Sequence, residues 1–416
     1  MLLGCIADDL TGATDLGVNL AREGLSVIQL NGVPDADAPL PDAYVLVVAL
    51  KSRTISADDA VRQSLAALEW LRARGAGRVY FKYCSTFDST PRGNIGPVTE
   101  ALQSALAAGV VPATPAYPRN LRTVYRGHLF VGDLLLCDTG MRNHPLTPMT
   151  DASLVRLLAA QATRPVGLIA AETLDDGVEA VRARLAKLAS DGVGHAIVDA
   201  TRDAHLTVAG AAFADLPLTT GGTGLAVGLA RALPERRGAA RAWEPPGADA
   251  PVAWLSGSCS DATRRQVAAA SAHAAPLRID PRALAADPAL AARLAAQAAA
   301  AVGRTPVFVV ATASPDEVAA AQAALGVERA ATLVEHAFAG VARALYAAGV
   351  RVFVVAGGET SGAVVDALGA RALAIGPEID PGVPWTRAVA GPASWLALKS
   401  GNFGSDDFFA RATAAL

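Results

Sequence analysis

The 416-residue sequence predicts an α/β protein of two domains, each a mainly parallel sheet flanked by helices, with an active site in the cleft between them. Three observations carry this. Short apolar runs rich in β-branched residues alternate with Ala- and Leu-rich helical stretches, the pattern of buried parallel strands joined by crossover helices. The length exceeds the roughly 100–200 residues that one hydrophobic core usually serves. A Pro- and Gly-rich stretch from Arg236 to Pro251 breaks both periodicities, and the strand pattern restarts beyond it. Residues 1–236 are therefore expected to form one domain, 237–251 a linker and 252–416 the second domain.

In the first domain Leu2–Ala7, Tyr44–Leu50, Val79–Tyr83, Val110–Ala113, Val166–Ala170 and Ala196–Asp199 read as strands. In the second, Val252–Leu255, Val307–Val310, Val352–Ala356 and Trp395–Lys399 do. Ala283–Val302 is Ala-rich, but Leu284, Leu290 and Leu294 give it a helical period. A net charge of -3 offers no electrostatic footprint for nucleic acid or an anionic membrane. No apolar run approaches the roughly 20 residues of a membrane span. Met1–Ala7 lacks a basic leader and reads as a first strand rather than a signal peptide, so a cytoplasmic protein is expected. Cys5, Cys84, Cys137 and Cys259 lie far apart without metal spacing and are expected to be reduced, mostly buried thiols.

Chemistry concentrates where strands end. After the first strand come Asp8, Asp9, Thr11, Gly12, Thr14 and Asp15, which bring carboxylates to the C-terminal sheet edge where open α/β sheets bind ligands. One of the paired carboxylates could simply cap the following helix. The segment Phe81–Gly96 supplies Lys82, Ser85, Asp88, Ser89, Arg92, Gly93 and Asn94: cations for a carboxylate, polar groups for hydroxyls, and glycines that let backbone approach. Arg92, with its planar fork, is the natural carboxylate partner, and Lys82 acts as a point charge. Ser52 and Arg53 end the second strand at the same edge. Asp199–His205 and Thr219–Leu225 are further strand-to-helix turns, and His205 is assigned no role.

In the second domain Val354-Val-Ala-Gly-Gly-Glu-Thr-Ser-Gly-Ala363 is a strand, a glycine-rich turn and a helix start suited to cradle phosphate. It is neither a Walker A loop nor a GxGxxG fingerprint. Ser256, Gly257 and Ser258 end one neighbouring strand, and Lys399, Ser400, Gly401 and Asn402 end another. Together these could line one anionic ligand, with Glu359 and Asp380 the candidates for holding Mg²⁺; no ligand set for a metal is evident.

The ordered motifs Ala7-Asp-Asp-Leu-Thr-Gly-Ala13, Lys82-Tyr-Cys-Ser-Thr-Phe-Asp-Ser-Thr90, Gly93-Asn-Ile-Gly-Pro97, Thr123-Val-Tyr-Arg-Gly-His-Leu-Phe-Val-Gly132, Asn143–Thr150, Gly357-Gly-Glu-Thr-Ser361, Gly376–Pro384 and Lys399-Ser-Gly-Asn-Phe-Gly404 resemble those of the four-carbon acid sugar kinase family across nearly the whole chain. The resemblance implies a sugar-acid-binding N-terminal domain, an ATP-binding C-terminal domain, and transfer of a phosphoryl group to the terminal hydroxyl of a four-carbon acid. It favours 3-oxo-tetronate over D-threonate or D-erythronate. Nucleotide contacts carry over to Ser258, Gly357 through Thr360, and Gly401, which joins the wider set Ser256, Gly257, Ser361, Lys399, Ser400 and Asn402 named above. On this reading ATP and Mg²⁺ are the cofactors, Asp9 or Asp8 accepts the hydroxyl proton with Asp88 a further candidate, and Thr11, Arg53, Lys82, Ser89, Arg92, Gly93 and Asn94 bind the acid. Domain closure would exclude water from the reaction. The partners are then a small sugar acid and ATP, not nucleic acid or membrane, and the chain could assemble as a homo-oligomer. A ligand-binding regulator without turnover and a nicotinamide dehydrogenase are the rival readings; the missing GxGxxG weighs against the second. Two positions depart from the family: Leu121, where Gly is commoner at an expected tight turn, and Thr223, where Ser is commoner.

Overall fold

Apolar runs become strands buried on both faces, as their lack of polar alternation requires. The computed structural model describes residues 2–35, 38, 40–143, 147–233, 243–247 and 249–416. The chain divides into two units, Met1–Ala38 with Asp42–Ala240, and Pro39–Pro41 with Arg241–Leu416. Of the sequence features singled out above, residues 237–242 and 248 of the linker stretch and His144, Pro145 and Leu146 lie outside the described residues.

The first unit contains β1 (Leu2–Ala7), β2 (Val27–Asn31), β3 (Val45–Ala49), β4 (Ala76–Lys82) and β5 (Val111–Thr114). A short antiparallel sheet follows, β6 (Arg122–Tyr125), β7 (His128–Val131) and β8 (Leu134–Leu135), and then β9 (Val166–Ile169), β10 (His195–Val198) and β11 (Leu218–Gly221). The main sheet runs β2-β3-β1-β4-β11-β5-β10-β9, and its neighbouring strands pair in parallel. After β1 the chain builds β2 and β3 on one side, then returns to place β4 on the other. The strand order thus reverses at β1 and β4, which opens a crevice at their C-terminal ends.

The helices Asp203–Phe213 and Thr223–Ala232 meet backbone to backbone at Gly210 and Gly228. A Cβ on Gly210 would overlap the Gly228 carbonyl, and one on Gly228 would overlap the Leu206 carbonyl. Gly228→Ala is therefore expected to cost about 1–3 kcal/mol by overpacking, read as a fall of several degrees in the thermal midpoint with catalytic constants unchanged. The turn at Leu121 forms without glycine: Leu121 sits at φ 58°, in the left-handed region, and donates its N–H to Pro118 O at 2.8 Å.

The second unit contains β12 (Val252–Ser256), β13 (Pro276–Arg278), β14 (Val307–Val310), β15 (Val352–Ala356), β16 (Ala372–Asp380), β17 (Val383–Ala390) and β18 (Trp395–Lys399). Its order is β13-β14-β12-β15-β18-β17-β16, parallel as far as β18, with β17 antiparallel to both neighbours. Here the order reverses between β12 and β15. The Ala-rich stretch forms two helices, Pro281–Ala286 and Leu290–Ala300, separated where Asp287 accepts the Ala289 N–H. Trp243, within the stretch read as a linker, packs on the second unit's core and on Gly376, where a Cβ would overlap its ring. The four cysteines are unpaired; Cys5 is buried and the other three are half-buried, which is more exposure than the sequence suggested.

Candidate active site

In the first unit the functional side chains gather at the C-terminal ends of β1, β3 and β4. The Asp9 carboxylate caps the helix Leu10–Arg22, accepting from Gly12 N at 2.9 Å and from Thr11 Oγ1 at 3.0 Å. Asp8 accepts two hydrogen bonds from Arg53, from Nε at 2.9 Å and Nη2 at 2.8 Å, and the same Nη2 lies 2.9 Å from Asp9 Oδ1. Arg53, expected to grip substrate, is thus held by both aspartates. The Lys82 ammonium is buried and donates to Tyr83 O at 3.0 Å. A Cβ on Gly12 would come within 3.2 Å of it and overlap Asp9 Oδ1, so this glycine is what lets Lys82 and Asp9 share the space.

Environment separates the two aspartates. Burial pushes Asp8 above the usual carboxylate range, although Arg53 pulls it back. Burial would raise Asp9 too, but Arg53, Lys82, Thr11 and the Gly12 N–H outweigh it and hold the carboxyl below its ordinary value. Asp9 is also the more open, its side chain 25% exposed against 8% for Asp8. Asp15 is raised by burial, against the pull of Lys82 and of the Thr223 hydroxyl that donates to it.

The loop after β4 is fastened from outside itself. Asn94, expected to touch the acid, instead donates to the carbonyls of Ser52 (2.6 Å), Ile55 (3.0 Å) and Arg53 (3.3 Å), so it holds the segment that carries Arg53. Gln161 donates to Ser89 Oγ and to Thr90 O, both at 2.8 Å, and accepts from Gly96 N at 3.0 Å. Gly93 leaves room for Ser89 Oγ, which a Cβ would overlap. Asp88 accepts from Thr86 Oγ1 at 2.5 Å. The Arg92 side chain is exposed and makes no hydrogen bond or ion pair among the described residues. Of the cations in this group it is the one whose side chain is without a hydrogen-bond or ion-pair partner among the described residues. Gln161 and the structural use of Asn94 escape sequence reasoning because each depends on a partner far along the chain.

In the second unit the segments after β12, β15 and β18 meet. Gly257 N and Ser258 N donate to Ala356 O, and Gly357 N donates to Lys399 O at 2.9 Å. Gly357 takes φ 127°, and it caps the helix Gly358–Leu368 without any side-chain cap. The N–H groups of Gly358, Glu359 and Thr360 therefore stand at a positive helix end, the arrangement that binds phosphate. Gly257 lies against Thr360 and Gly401 against Ser258, and in each pair a Cβ would overlap the neighbouring hydroxyl. Two expected contacts point elsewhere. Ser256 is buried with its hydroxyl on Thr312 at 2.8 Å, and the Ser361 hydroxyl is buried without a partner.

Beside this turn opens a cavity of about 420 Å³, in the range of small-ligand sites. Ile279, Val310, Val318, Val327, Ala330 and Val334 form its apolar wall, and Gly257, Glu359 and Thr360 its mouth toward the phosphate turn. It suits a flat heteroaromatic base next to a bound phosphate chain. Sequence reasoning misses it, since much of its wall comes from the helices Pro315–Leu325 and Val327–Ala347, whose Ala and Val spacing reads as ordinary packing.

No group of three or more metal-ligating side chains occurs among the described residues. Asp380 is fully engaged: Oδ2 accepts from Ser405 N and Oγ at 3.0 and 2.9 Å, and Oδ1 pairs with Arg411 at 2.9 Å. It is a structural lock rather than an open ligand. Glu359 is exposed at the cavity mouth, so the donor set fits a cation that arrives on a triphosphate and keeps its own waters.

A sheet edge rich in charged side chains on one α/β unit, and a glycine-rich helix start beside an apolar cavity on the other, are features that a small-molecule phosphotransferase uses. Family models agree: that of a sugar-binding N-terminal domain matches residues 3–229, and that of a nucleotide-binding C-terminal domain matches residues 253–409. The chain belongs to the four-carbon acid sugar kinase family. It is 56% identical to a 3-oxo-tetronate kinase of Cupriavidus necator, over 100% of this chain and 97% of that protein. It is 54% identical to a 3-oxo-tetronate kinase of Burkholderia multivorans, with the same coverage of 100% and 97%. A crystallised protein of Salmonella typhimurium LT2 shares 46% identity over 99% of this chain and 98% of its own, with a TM-score of 0.87.

Proposed function

We propose that this chain is an ATP-dependent 3-oxo-tetronate kinase that phosphorylates the terminal hydroxyl to give 3-oxo-tetronate 4-phosphate. The observation that carries this reading is full-length likeness, above 50% identity, to relatives of that name. The acid lies on the first unit, with its carboxylate on Arg92 and Lys82 and its terminal hydroxyl toward Asp9. ATP lies on the second, with its base in the apolar cavity and its phosphates on the Gly357–Thr360 turn. The hydroxyl oxygen attacks the γ-phosphorus, the bond from that phosphorus to the β–γ bridging oxygen breaks, ADP leaves, and the hydroxyl proton passes to the Asp9 carboxylate. Arg53 neutralises Asp8, so the pair does not repel the acid. Mg²⁺ bound to the triphosphate, within reach of Glu359, would offset charge on the transferring group.

Four unpaired cysteines suit a reducing compartment, and no described helix is long and apolar enough to cross a membrane, which supports the expected cytoplasmic location. The deciding experiment is coupled ADP release across 3-oxo-tetronate, D-threonate and D-erythronate. A kcat/KM at least tenfold higher for 3-oxo-tetronate is expected, and preference for another acid would overturn the substrate assignment. Arg92→Ala should raise KM for the acid roughly 10–100-fold, the worth of a charge-assisted hydrogen bond. Its thermal midpoint should not move, because the guanidinium makes no hydrogen bond or ion pair among the described residues.

A further inference from the structure

The Gly401 carbonyl oxygen accepts three hydrogen bonds, from Ser260 Oγ at 2.6 Å, Thr263 Oγ1 at 2.8 Å and Lys399 Nζ at 3.1 Å. A carbonyl oxygen has two lone pairs, and a loop carbonyl is satisfied by one donor. Three donors fix the direction of this peptide far more firmly than hydrogen-bond satisfaction requires. The described residues contain no cis peptide bond, so the Asn402 N–H points opposite to that carbonyl, away from the helix Asp261–Ala270 that supplies Thr263. Neither the Gly401 nor the Asn402 N–H finds an acceptor among the described residues.

Lys399 spends its remaining donors on Thr263 Oγ1 and Ser400 O, both at 3.0 Å, so its ammonium faces protein rather than ligand. Its side chain is fully buried, near the Phe408 ring. Burial lowers its pKa to about 7, with Asp380 opposing, and Asp380 is itself paired with Arg411. Keeping a cation there costs free energy that an apolar side chain would not. The Lys399 carbonyl meanwhile accepts the Gly357 N–H, so one residue supports the glycine-rich turn with its backbone and the next loop with its side chain.

We propose that Lys399 is a positioning residue for phosphoryl transfer: by holding the Gly401 carbonyl inward it aims the Asn402 N–H at the nucleotide phosphates, acting on them through this peptide rather than by contact. This rests on the reading of the second unit as the ATP site. The test measures binding of a non-hydrolysable ATP analogue with Mg²⁺, and of adenosine alone, by calorimetry, together with steady-state kinetics. Lys399→Met should weaken the analogue and raise KM for ATP roughly 10–100-fold, while adenosine affinity stays within twofold and KM for the acid is unchanged. Thr263→Val should act in the same direction. The double variant should be no worse than the poorer single, because both side chains serve one carbonyl.

Equal loss of adenosine and analogue binding would overturn the proposal, as would additive effects or an inert Thr263→Val, which would mean that Lys399 touches phosphate itself. If Lys399→Met does not fold, Ser260→Ala and Thr263→Val carry the same comparison. Wild-type binding of the analogue without turnover of any acid would sink the kinase reading and leave these binding comparisons decisive. Failure of the wild type to bind the analogue would overturn both.

Discussion

Asp9→Asn is expected to lower kcat by roughly 10²–10⁴-fold, the contribution of a well-placed general base, while the thermal midpoint and the KM for ATP stay close to wild type. Asp9 caps the helix, shares Arg53 with Asp8 and receives the proton; asparagine fills the first role, and Asp8 still accepts from Arg53 Nε and Nη2, so the second is largely kept. As a helix cap it accepts the Gly12 N–H, and Asn ranks with Asp at that position. What the variant loses is the negative charge that receives the proton. Arg53 and Lys82 outweigh burial in keeping that charge, so the wild-type carboxylate stays ionised from neutral pH down past the usual carboxylate range. Acid should therefore remove the base only below that range. Asp8→Asn is the contrasting variant: it breaks the paired contact with Arg53 and should lose stability along with rate. Turnover of Asp9→Asn within threefold of wild type would show that another group takes the proton.

Gly357→Ala should weaken ATP binding about 10–100-fold and leave the affinity for the acid alone. At φ 127° and ψ 135° the backbone occupies a region that side chains with a Cβ avoid, at a cost of roughly 1–3 kcal/mol. A Cβ there would also lie 3.0 Å from Ser258 N and 3.1 Å from Thr360 Oγ1. The variant turn relieves both by relaxing, and ATP must then restore the strained form, so the strain appears as lost affinity at about 1.4 kcal/mol per tenfold. Calorimetry with ATP and with the acid reads the two affinities separately. An unchanged ATP affinity would mean that the phosphates are held elsewhere.

The strands that end in chemistry were legible because each is an uninterrupted apolar run followed by polar or glycine-rich residues. β15 and the turn at Gly357 are the clearest case. Strands that lack that signal were not. β2 carries a buried Gln29, which accepts from Thr14 Oγ1 at 3.0 Å, and this polar residue interrupts the apolar run. β16 contains Gly376 and Pro377, residue types that interrupt a strand pattern, yet the strand continues through them with shifts in register. At the sites, residue type indicated where charge gathers but not which charges are already spent. Arg53 and Arg92 look alike in sequence; only the fold shows that Asp8 and Asp9 hold one while no described residue pairs with the other. Lys399 is similar, since its meeting with Thr263 depends on how the helix Asp261–Ala270 packs beside β18.

Each unit carries its ligand loops at its own reversal of strand order, β1 with β4 in one and β12 with β15 in the other. Selection can therefore act on the two halves separately. The loop at residues 83–94 hangs on Asn94 and Gln161, within its own unit, so on the proposed assignment changes there retune acid preference without disturbing the fasteners of the turn at Gly357. A lineage with this architecture can inherit its donor chemistry intact and still diverge in diet.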